Sequence, residues 1–487
     1  MGIVQQLSPH TVRKVLSKYL KFVGPGIMVS VAYMDPGNYS TSVSGGANYQ
    51  YKLLFAVFIS NIFAVILQSL CIKLGSVTGL DLAQNCRKHL SKRLNLTLYF
   101  LAELAIIATD LAEVVGTAIA LEILFNIPLE YGVVLTVLDV LIILIAYNTE
   151  SNSMRSVRGF EMFVSIFVFL TVGCFVMELF RINVPNKWEV YRGFFPSKEL
   201  TEEKGTYLAL GILGATVMPH SLYLGSSLVQ PRLSEYDQKN NSERVDPKRP
   251  SVQAIEYSLK YSYAELIISL FFIATFVNSA ILIVAGATLY GQPDADDADL
   301  LSIYEMLTRY ISPAAGLIFA LAMLFSGQSA GIVCTMAGQI VSEGFIEWSF
   351  SPWVRRIVTR LIAIAPCLVV TLTMGRKGIA DILNGSQVVL SMILPFVSAP
   401  LIYFTCKKEF MQVDVLDQGD NGEAEHLVTD DSPSYGAAGQ PAFRSKKTKD
   451  YTNGTFLAYA GIITWATIGF LNFYLIISFA LGKDVHF

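Results

Sequence analysis

Charged residues are scarce in this chain. Aspartate, glutamate, lysine and arginine make up 15% of its 487 residues, whereas apolar residues make up 53%. A soluble protein of this size needs a mostly polar surface. Here the apolar residues stand in blocks of roughly 20, the length that crosses a bilayer core as a helix, and in lipid each block must pair its backbone groups internally. The composition therefore predicts an all-α integral membrane protein that lies in a lipid bilayer.

Other signals are absent as well. The net charge is only −3, and no basic stripe indicates a nucleic-acid partner. The six cysteines form no CxxC pair, which argues against a disulfide framework or a zinc site. The sequence contains neither a Walker A motif nor a nucleophile–base pair. We therefore expect no enzyme activity and no cofactor, and a gradient rather than ATP as the source of energy.

The apolar blocks predict about eleven membrane spans. Lysine and arginine are concentrated in the N-terminal tail and in every even-numbered connection, which predicts a cytosolic N-terminus. The fifth connection also contains lysine and arginine, but it is longer and mixed in charge, so it counts less in assigning the orientation. The predicted span centres lie near residues 33, 62, 112, 139, 170, 216, 274, 325, 366, 393 and 468.

The same pattern predicts the division of the chain into parts. One loop is rich in Asp, Gly, Ser and Lys, a composition typical of disordered segments. The parts are a cytosolic N-tail at 1–21, a core of ten helices at 22–405 with a cytosolic loop at 231–256, a cytosolic loop predicted to be disordered at 406–452, and an eleventh helix with a short non-cytosolic C-terminus at 453–487.

Two of the predicted spans contain proline and glycine near their middle. The first span reads VSVAYMDPGN over residues 29–38, and the sixth reads GILGATVMPH over residues 211–220. Such residues free backbone groups that hydrocarbon cannot satisfy, so the breaks must line a cavity enclosed by protein or filled with water. Breaks in the first and sixth spans occupy corresponding places in two five-helix halves. This pattern predicts an inverted-repeat transporter with its binding site at the middle of the membrane.

The residues at the breaks favour a particular class of ligand. Asp35 offers a charged oxygen, Asn38 an amide oxygen, Ala215 a freed carbonyl and Met218 a thioether sulfur. Oxygen ligands suit hard or borderline dications, while a thioether is a poor ligand for Ca2+ or Mg2+. The set therefore favours ions such as Fe2+, Mn2+, Co2+, Cd2+ or Zn2+. A lone methionine in a spanning helix usually only packs, but a carboxylate inside a membrane is functional by default.

These motifs resemble those of a known family. Residues 35–38 read DPGN and residues 215–220 read ATVMPH, as in the Nramp divalent metal transporters. The resemblance runs over roughly residues 20–405 and includes blocks at 327–345 and 384–391. It implies a LeuT-like 5+5 inverted repeat with broken helices 1 and 6, followed by an eleventh helix.

The resemblance also implies a function and a binding site. The expected activity is import of Fe2+ or Mn2+ into the cytosol, coupled to protons. The implied metal site consists of Asp35, Asn38, the Ala215 carbonyl and Met218, and Gln387 of the tenth span joins it in one conformation.

One position departs from the family pattern. Many members have a second histidine five residues after His220, where this chain has Gly225. The departure argues against a mechanism with two histidines. The chain looks most like the yeast vacuolar iron transporter branch, which implies a vacuolar or endosomal membrane, with the plasma membrane as the alternative.

The third span carries acids that indicate a proton pathway. Glu103, Asp110 and Glu113 are spaced seven and three residues apart, so they share one helical face. Such a face must line water or meet cations, and Arg232 and Arg360 are the candidate cations. The alternative is that these charges form structural ion pairs between helices.

The predicted relay begins at the metal site. A dication that arrives near Asp35 favours its ionised form, so the proton leaves. Asp110 is the predicted next acceptor, through water or His220. We expect His220 to act indirectly rather than as a metal ligand, because its spacing turns it away from Met218.

Three alternatives to metal transport remain open at this point. The first is a metal-sensing or signalling membrane protein of the same fold that does not transport. The second is an amino-acid symporter, which would favour small residues at the first break. A membrane enzyme is the weakest of the three.

Overall fold

A computed structural model describes most of the chain. The described residues are 24–136, 154–240, 249–292, 300–346, 352–415 and 447–481. The predicted N-tail and the predicted fourth span near residue 139 lie outside the described residues.

The described structure is almost entirely helical. A 3-10 turn covers Lys198–Thr201, and π-helical stretches cover Ser269–Ala274 and Leu307–Ile311. In chain order the α-helices are α1 Pro25–Val31, α2 Pro36–Tyr49, α3 Leu54–Thr78, α4 Leu82–His89, α5 Lys92–Phe125, α6 Met154–Arg181, α7 Lys187–Gly193, α8 Glu203–Thr216, α9 Pro219–Leu228, α10 Gln230–Asn240, α11 Val252–Ile268, α12 Thr275–Thr288, α13 Leu300–Met306, α14 Pro313–Ile346, α15 Pro352–Cys406, α16 Lys408–Met411 and α17 Thr455–Ala480.

Eight helical stretches of the described residues are long and apolar enough to cross a membrane. The first predicted span is missing from this count because its break leaves two pieces of 7 and 14 residues, α1 and α2. The sixth span is counted, although it is also interrupted, between α8 and α9. The all-helical membrane class is confirmed, and the number of eleven spans stays a prediction.

The segment predicted to hold the ninth and tenth spans is one helix. α15 has 55 residues, which at ~1.5 Å per residue is far longer than the ~30 Å core of a bilayer. Its part Asp381–Cys406 has the length and hydropathy of a span. The separation into a ninth and a tenth span stays a prediction. Residues 367–394 contain no proline, so the backbone has no enforced stop between the two predicted centres.

The first break owes its shape to Pro36 and Asp35. Pro36 is the first residue of α2, a position that needs no backbone N–H, and the Asp35 side chain caps the helix by accepting from the Asn38 N–H at 3.0 Å. Two carbonyls of the break are satisfied from other helices. Asn278 of α12 donates to Tyr33 O at 2.9 Å, and Ser326 of α14 donates to Met34 O. Buried irregular backbone is therefore paired with protein, as a membrane interior requires.

The second break follows from Pro219. In a continuous helix the carbonyl of Ala215 would accept from the N–H of the residue four positions later, and proline has none. α8 ends at Thr216 and α9 begins at Pro219, with Met218 extended between them. The Ala215 carbonyl is therefore left for another donor.

The packing places the two breaks next to each other. α2 packs against α8, and α1 packs against α9. The surrounding helices include α12 against α2, α15 against α8, and α5 against both α14 and α15. The breaks are consequently enclosed by protein.

The loop predicted to be disordered begins and ends in a two-stranded sheet. β1 Gln412–Val415 pairs antiparallel with β2 Lys447–Asp450, and residues 416–446 between them lie outside the described residues. Lys73 of α3 donates to Thr452 O at 3.0 Å, which fixes the end of this loop to the third helix.

The predicted cytosolic loop at 231–256 is partly helical. α10 covers its first part and α11 begins at Val252, while residues 241–248 lie outside the described residues. Asp237 accepts from the Ser251 N–H at 3.1 Å and connects the two helices.

Candidate metal-binding site at the two helix breaks

The Asn38 side chain joins the two breaks. Its amide nitrogen donates to Asp35 Oδ1 at 2.9 Å and to the Ala215 carbonyl at 2.7 Å. Its amide oxygen accepts from Thr216 Oγ1 at 3.4 Å. All four residues are buried. Three of the predicted metal ligands are thus brought together by one side chain.

The arrangement leaves one carboxylate oxygen unused. The amide NH2 group of Asn38 points at two oxygens that were predicted to bind the metal. Asp35 Oδ2 is buried and has no hydrogen-bond partner among the described residues. Buried oxygens of this kind are rare unless a ligand, an ion or water uses them. Asp35 Oδ1 and the Ala215 carbonyl thus converge on one buried point, which the Asn38 amide nitrogen occupies.

Met218 lies at the second break and is fully buried. Its carbonyl accepts from Ser221 Oγ at 2.7 Å, which holds the start of α9. The thioether is therefore placed three residues from Ala215, in a region from which bulk water is excluded.

Gln387 reaches the first break because residue 37 has no side chain. A Cβ atom on Gly37 would lie 2.3 Å from Gln387 Nε2. Gln387 is buried, and its Oε1 has no hydrogen-bond partner among the described residues. All five residues predicted to bind the metal consequently lie at, or directly against, the two breaks.

A polar seam continues from the site along α2 and α15. Ser40 Oγ donates to Asn384 Oδ1 at 2.9 Å, and Asn384 Nδ2 donates to Ser44 Oγ at 3.1 Å. Asn384 is one turn before Gln387 on the same helix. The sequence analysis missed this seam, although serines four residues apart opposite an asparagine were its visible signal.

His220 turns toward the third span. Its Nδ1 atom lies 3.4 Å from Thr109 Oγ1, and both residues are buried. Thr109 immediately precedes Asp110 in α5. The contact therefore links the second break to the helix that carries the predicted proton pathway.

Two of the three predicted pathway acids lie together. Asp110 and Glu113 are buried beside Cys334 of α14, with ligand atoms of the three residues within 4.8 Å of one another. Glu103 is only partly buried. The sequence analysis did not connect Cys334 with these acids, because residues so distant in the chain give no local pattern.

The two arginines predicted to face the third-span acids are Arg232 and Arg360. Arg232 is buried and forms a bidentate ion pair with Glu161 of α6, with nitrogen–oxygen distances of 2.9 and 2.8 Å. The sequence analysis offered Arg232 to the third-span acids and gave Glu161 no role. Arg360 lies in α15, and its side chain is outside the described part of the chain.

A further acid without a predicted role caps α1. Glu265 of α11 accepts from the backbone N–H groups of Gly24, Gly26 and Ile27 at 3.0, 2.7 and 3.2 Å. Gly24 has a φ of 145°, which a residue with a side chain rarely adopts. The glycines around Pro25 therefore allow one carboxylate to hold the start of the first span.

At Gly225, where the sequence departs from the family pattern, the side chain of Gln68 packs against the backbone. A Cβ atom there would lie 2.1 Å from Gln68 Oε1. Gln68 Nε2 is within 3.0 Å of the Tyr33 hydroxyl and within 2.9 Å of Ser221 Oγ. Gln68 thus packs against α9 at Gly225, and it connects the two broken spans.

The chain matches known proteins over nearly its whole length. The sequence profile of the family described as "Nramp: Natural resistance-associated macrophage protein-like" matches residues 26–422. The iron transporter SMF3 of Saccharomyces cerevisiae is 62% identical over 97% of this chain and 99% of its own length. The manganese transporter SMF2 of the same yeast is 53% identical over 97% of this chain and 90% of its own length.

Solved structures agree with this match. A crystal structure of the Eremococcus coleocola manganese transporter is 30% identical, with a TM-score of 0.75 over 100% of this chain and 91% of that chain. Mhp1, a nucleobase-cation-symport-1 family transporter, is 15% identical with a TM-score of 0.51 and shares the fold alone. The predicted LeuT-like fold class is confirmed, and the relatives are transporters rather than enzymes. The chain belongs to the Nramp family of divalent metal transporters.

Proposed function

We propose that this protein imports Fe2+ or Mn2+ into the cytosol and couples the import to protons, with its metal site at the two helix breaks. The observation that carries the proposal is the convergence of Asp35, Asn38 and the Ala215 carbonyl around one buried point. The unused Asp35 Oδ2 oxygen faces no other donor in the described residues.

Metal binding requires one local change. The Asn38 NH2 group occupies the side of the site that a cation would approach, because it donates to both oxygens. Rotation of the amide by half a turn would present its oxygen instead and free Asp35 Oδ1 and Ala215 O for the metal. A single carboxylate leaves net positive charge after binding, so the affinity is moderate and the cargo can be released.

The ligand set supports discrimination between ions. Carboxylate, amide and carbonyl oxygens accept any hard or borderline dication, while the Met218 sulfur disfavours Ca2+ and Mg2+. Gln387, held against Gly37, adds a further oxygen from α15.

Contacts between the second break and α5 support the proton route. An arriving dication favours the ionised form of Asp35, so its proton is released. The imidazole of His220 lies beside Thr109, and Asp110 and Glu113 follow on the same buried stretch. We assign Glu103, Arg232 and Arg360 to the cytosolic part of the route.

The relatives' names favour iron or manganese as cargo. The 62% identical relative is named an iron transporter and the 53% identical one a manganese transporter. On this basis we place iron first. The resemblance to the yeast vacuolar iron transporter branch favours a vacuolar or endosomal membrane over the plasma membrane, and the distribution of lysine and arginine favours a cytosolic N-terminus. Immunolocalisation of the full chain in its own cells tests the membrane.

Substitution of Met218 tests both the function and its selectivity. In proteoliposomes with an internal pH dye, the wild-type chain should take up Mn2+ and Fe2+, acidify the lumen and exclude Ca2+. Met218→Ala should keep Mn2+ uptake but reduce the preference for Mn2+ over Ca2+ at least ~10-fold, because the sulfur is lost.

Met411→Ala is the matched control. Met411 is also fully buried but lies in α16, next to strand β1 and outside the two broken spans. Both variants should lose ~2–5 kcal/mol of stability from the cavity, yet only Met218→Ala should admit Ca2+. An unchanged ion preference in Met218→Ala would remove the sulfur from the site. Metal binding without any uptake by the wild type would favour the non-transporting sensor.

A further inference from the structure

Glu178 is a buried acid that the metal site and the pathway along α5 do not use. It lies on α6, three residues before the helix ends at Arg181. Its exposure is 0%. The buried residues of α6 recur every three or four positions and include Thr171, Cys174 and Phe175. Glu178 is therefore part of the face that packs into the protein, near the predicted non-cytosolic end of the fifth span.

The carboxyl group has no hydrogen-bond partner among the described residues. Both of its oxygens are buried and unsatisfied. The nearest cation in sequence, Arg181, is exposed and donates to Ser312 Oγ at 3.1 Å. A charged carboxylate in such surroundings is strongly disfavoured, and intramembrane acids of this kind mark ion or proton routes.

The helices that pack against α6 contribute few charged side chains near Glu178. α6 packs against α1, α12 and α14. Neither α1, α12 nor residues 313–327 of α14 contain a titratable side chain. Cys174 lies one turn earlier on the same buried face of α6, and Arg181 follows at the exposed end of the helix. Arg309, near Ser312, lies over the ring of Tyr310 at 5.6 Å.

The face of α6 that carries Glu178 also contacts α2, the helix that begins at the first break. The Phe175 ring packs against Tyr39 with centroids 5.4 Å apart. The outer part of α6 is thus connected to the first break without passing through α5.

We propose that Glu178 is a second proton-binding site of this transporter, loaded from the non-cytosolic side and separate from the acids of α5. The proposal rests on the proton coupling proposed above. A proton fits better than a metal ion, because one carboxylate and one thiol are too few ligands for a dication, which takes four or more. Acidic conditions outside would load Glu178, and its proton would pass to Asp35 while the site holds no metal, which prepares Asp35 for the next cycle.

The experiment compares three variants of the full chain in membranes. Glu178→Gln keeps the shape of a protonated glutamate and removes titration, whereas Glu178→Asp keeps titration. Glu189→Gln is the matched control, because Glu189 is an exposed acid in α7 of the following predicted non-cytosolic connection. Infrared difference spectra between acidic and neutral buffer report protonated carboxyl groups, and proteoliposomes report Mn2+ uptake and proton flux.

The wild-type and Glu189→Gln difference spectra should share a carboxyl band that Glu178→Gln loses and Glu178→Asp retains in shifted form. The external-pH dependence of Mn2+ uptake should weaken in Glu178→Gln and remain at the wild-type level in Glu189→Gln. A band that persists in Glu178→Gln would overturn the proposal. So would a wild-type difference spectrum without a carboxyl band that Glu178→Gln loses, since Glu178 would then not change its protonation between the two buffers.

Two other results distinguish failure of the Glu178 proposal from failure of the proposed proton coupling. Loss of one equivalent of Cd2+ binding in Glu178→Gln would show a metal site instead of a proton site, and would also overturn the proposal. Absence of proton flux in the wild type would contradict the proposed coupling, whereas the infrared band tests Glu178 independently of transport.

Discussion

Asp35→Asn should reduce Mn2+ uptake in proteoliposomes at least ~100-fold, because it removes the charge from the converging ligands. The remaining amide and carbonyl oxygens are neutral, and neutral oxygens alone bind a dication weakly. The variant should also lose Cd2+ binding in a calorimetric titration.

The fold should survive this substitution. Asp35 caps α2 by accepting from the Asn38 N–H at 3.0 Å, and an asparagine oxygen can do the same. The thermal unfolding temperature should therefore remain close to that of the wild type. Asp414→Asn, on strand β1, serves as the control for loss of a carboxylate elsewhere. Uptake by Asp35→Asn near the wild-type level would refute the metal site proposed here.

Gly214→Ala should prevent correct assembly of the protein. A Cβ atom at this position would lie 1.9 Å from the Gln387 carbonyl oxygen and 2.8 Å from the Ser391 backbone nitrogen. Both neighbours are backbone atoms of α15, so no side chain can rotate away. We expect destabilisation beyond the ~1–3 kcal/mol typical of overpacking. Thermal unfolding and the folded yield in detergent measure the effect.

Gly385→Ala is the control on the opposite helix. No atom lies within 4 Å of a Cβ placed on Gly385, so this variant should fold and transport normally. Equal stability of the two variants would mean that α8 and α15 can separate without cost, which would contradict the close packing described above.

Local features of the sequence predicted the positions of the two helix breaks well, whereas the metal ligands stay a prediction. Proline has no N–H wherever it stands, so the breaks before Pro36 and Pro219 could be placed to within a few residues. The bond from Asn38 to Ala215, 177 positions apart, could not be predicted in that way. It depends on how α2 and α8 pack, which no local pattern encodes.

Partners of buried charges were the least predictable part. Arg232 was expected to meet acids of the third span, but its bidentate partner is Glu161 of the fifth. Glu265 was given no role, yet it caps α1 through three backbone bonds. The sequence spacing of membrane acids shows which helix face they occupy but not which helix they meet.

The missing N–H of Pro219 has a consequence for mutagenesis of this protein. The Ala215 carbonyl belongs to the main chain, so replacing the Ala215 side chain cannot delete it, and an alanine scan would leave this ligand undetected. Pro219, four residues after Ala215, determines whether that oxygen is free. It does so without having to contact the ion. Pro219→Ala would restore the donor and allow the helix to reclaim the oxygen. Pro219 therefore contributes to the proposed metal site indirectly, because its lack of an N–H group leaves the Ala215 carbonyl without a helical donor.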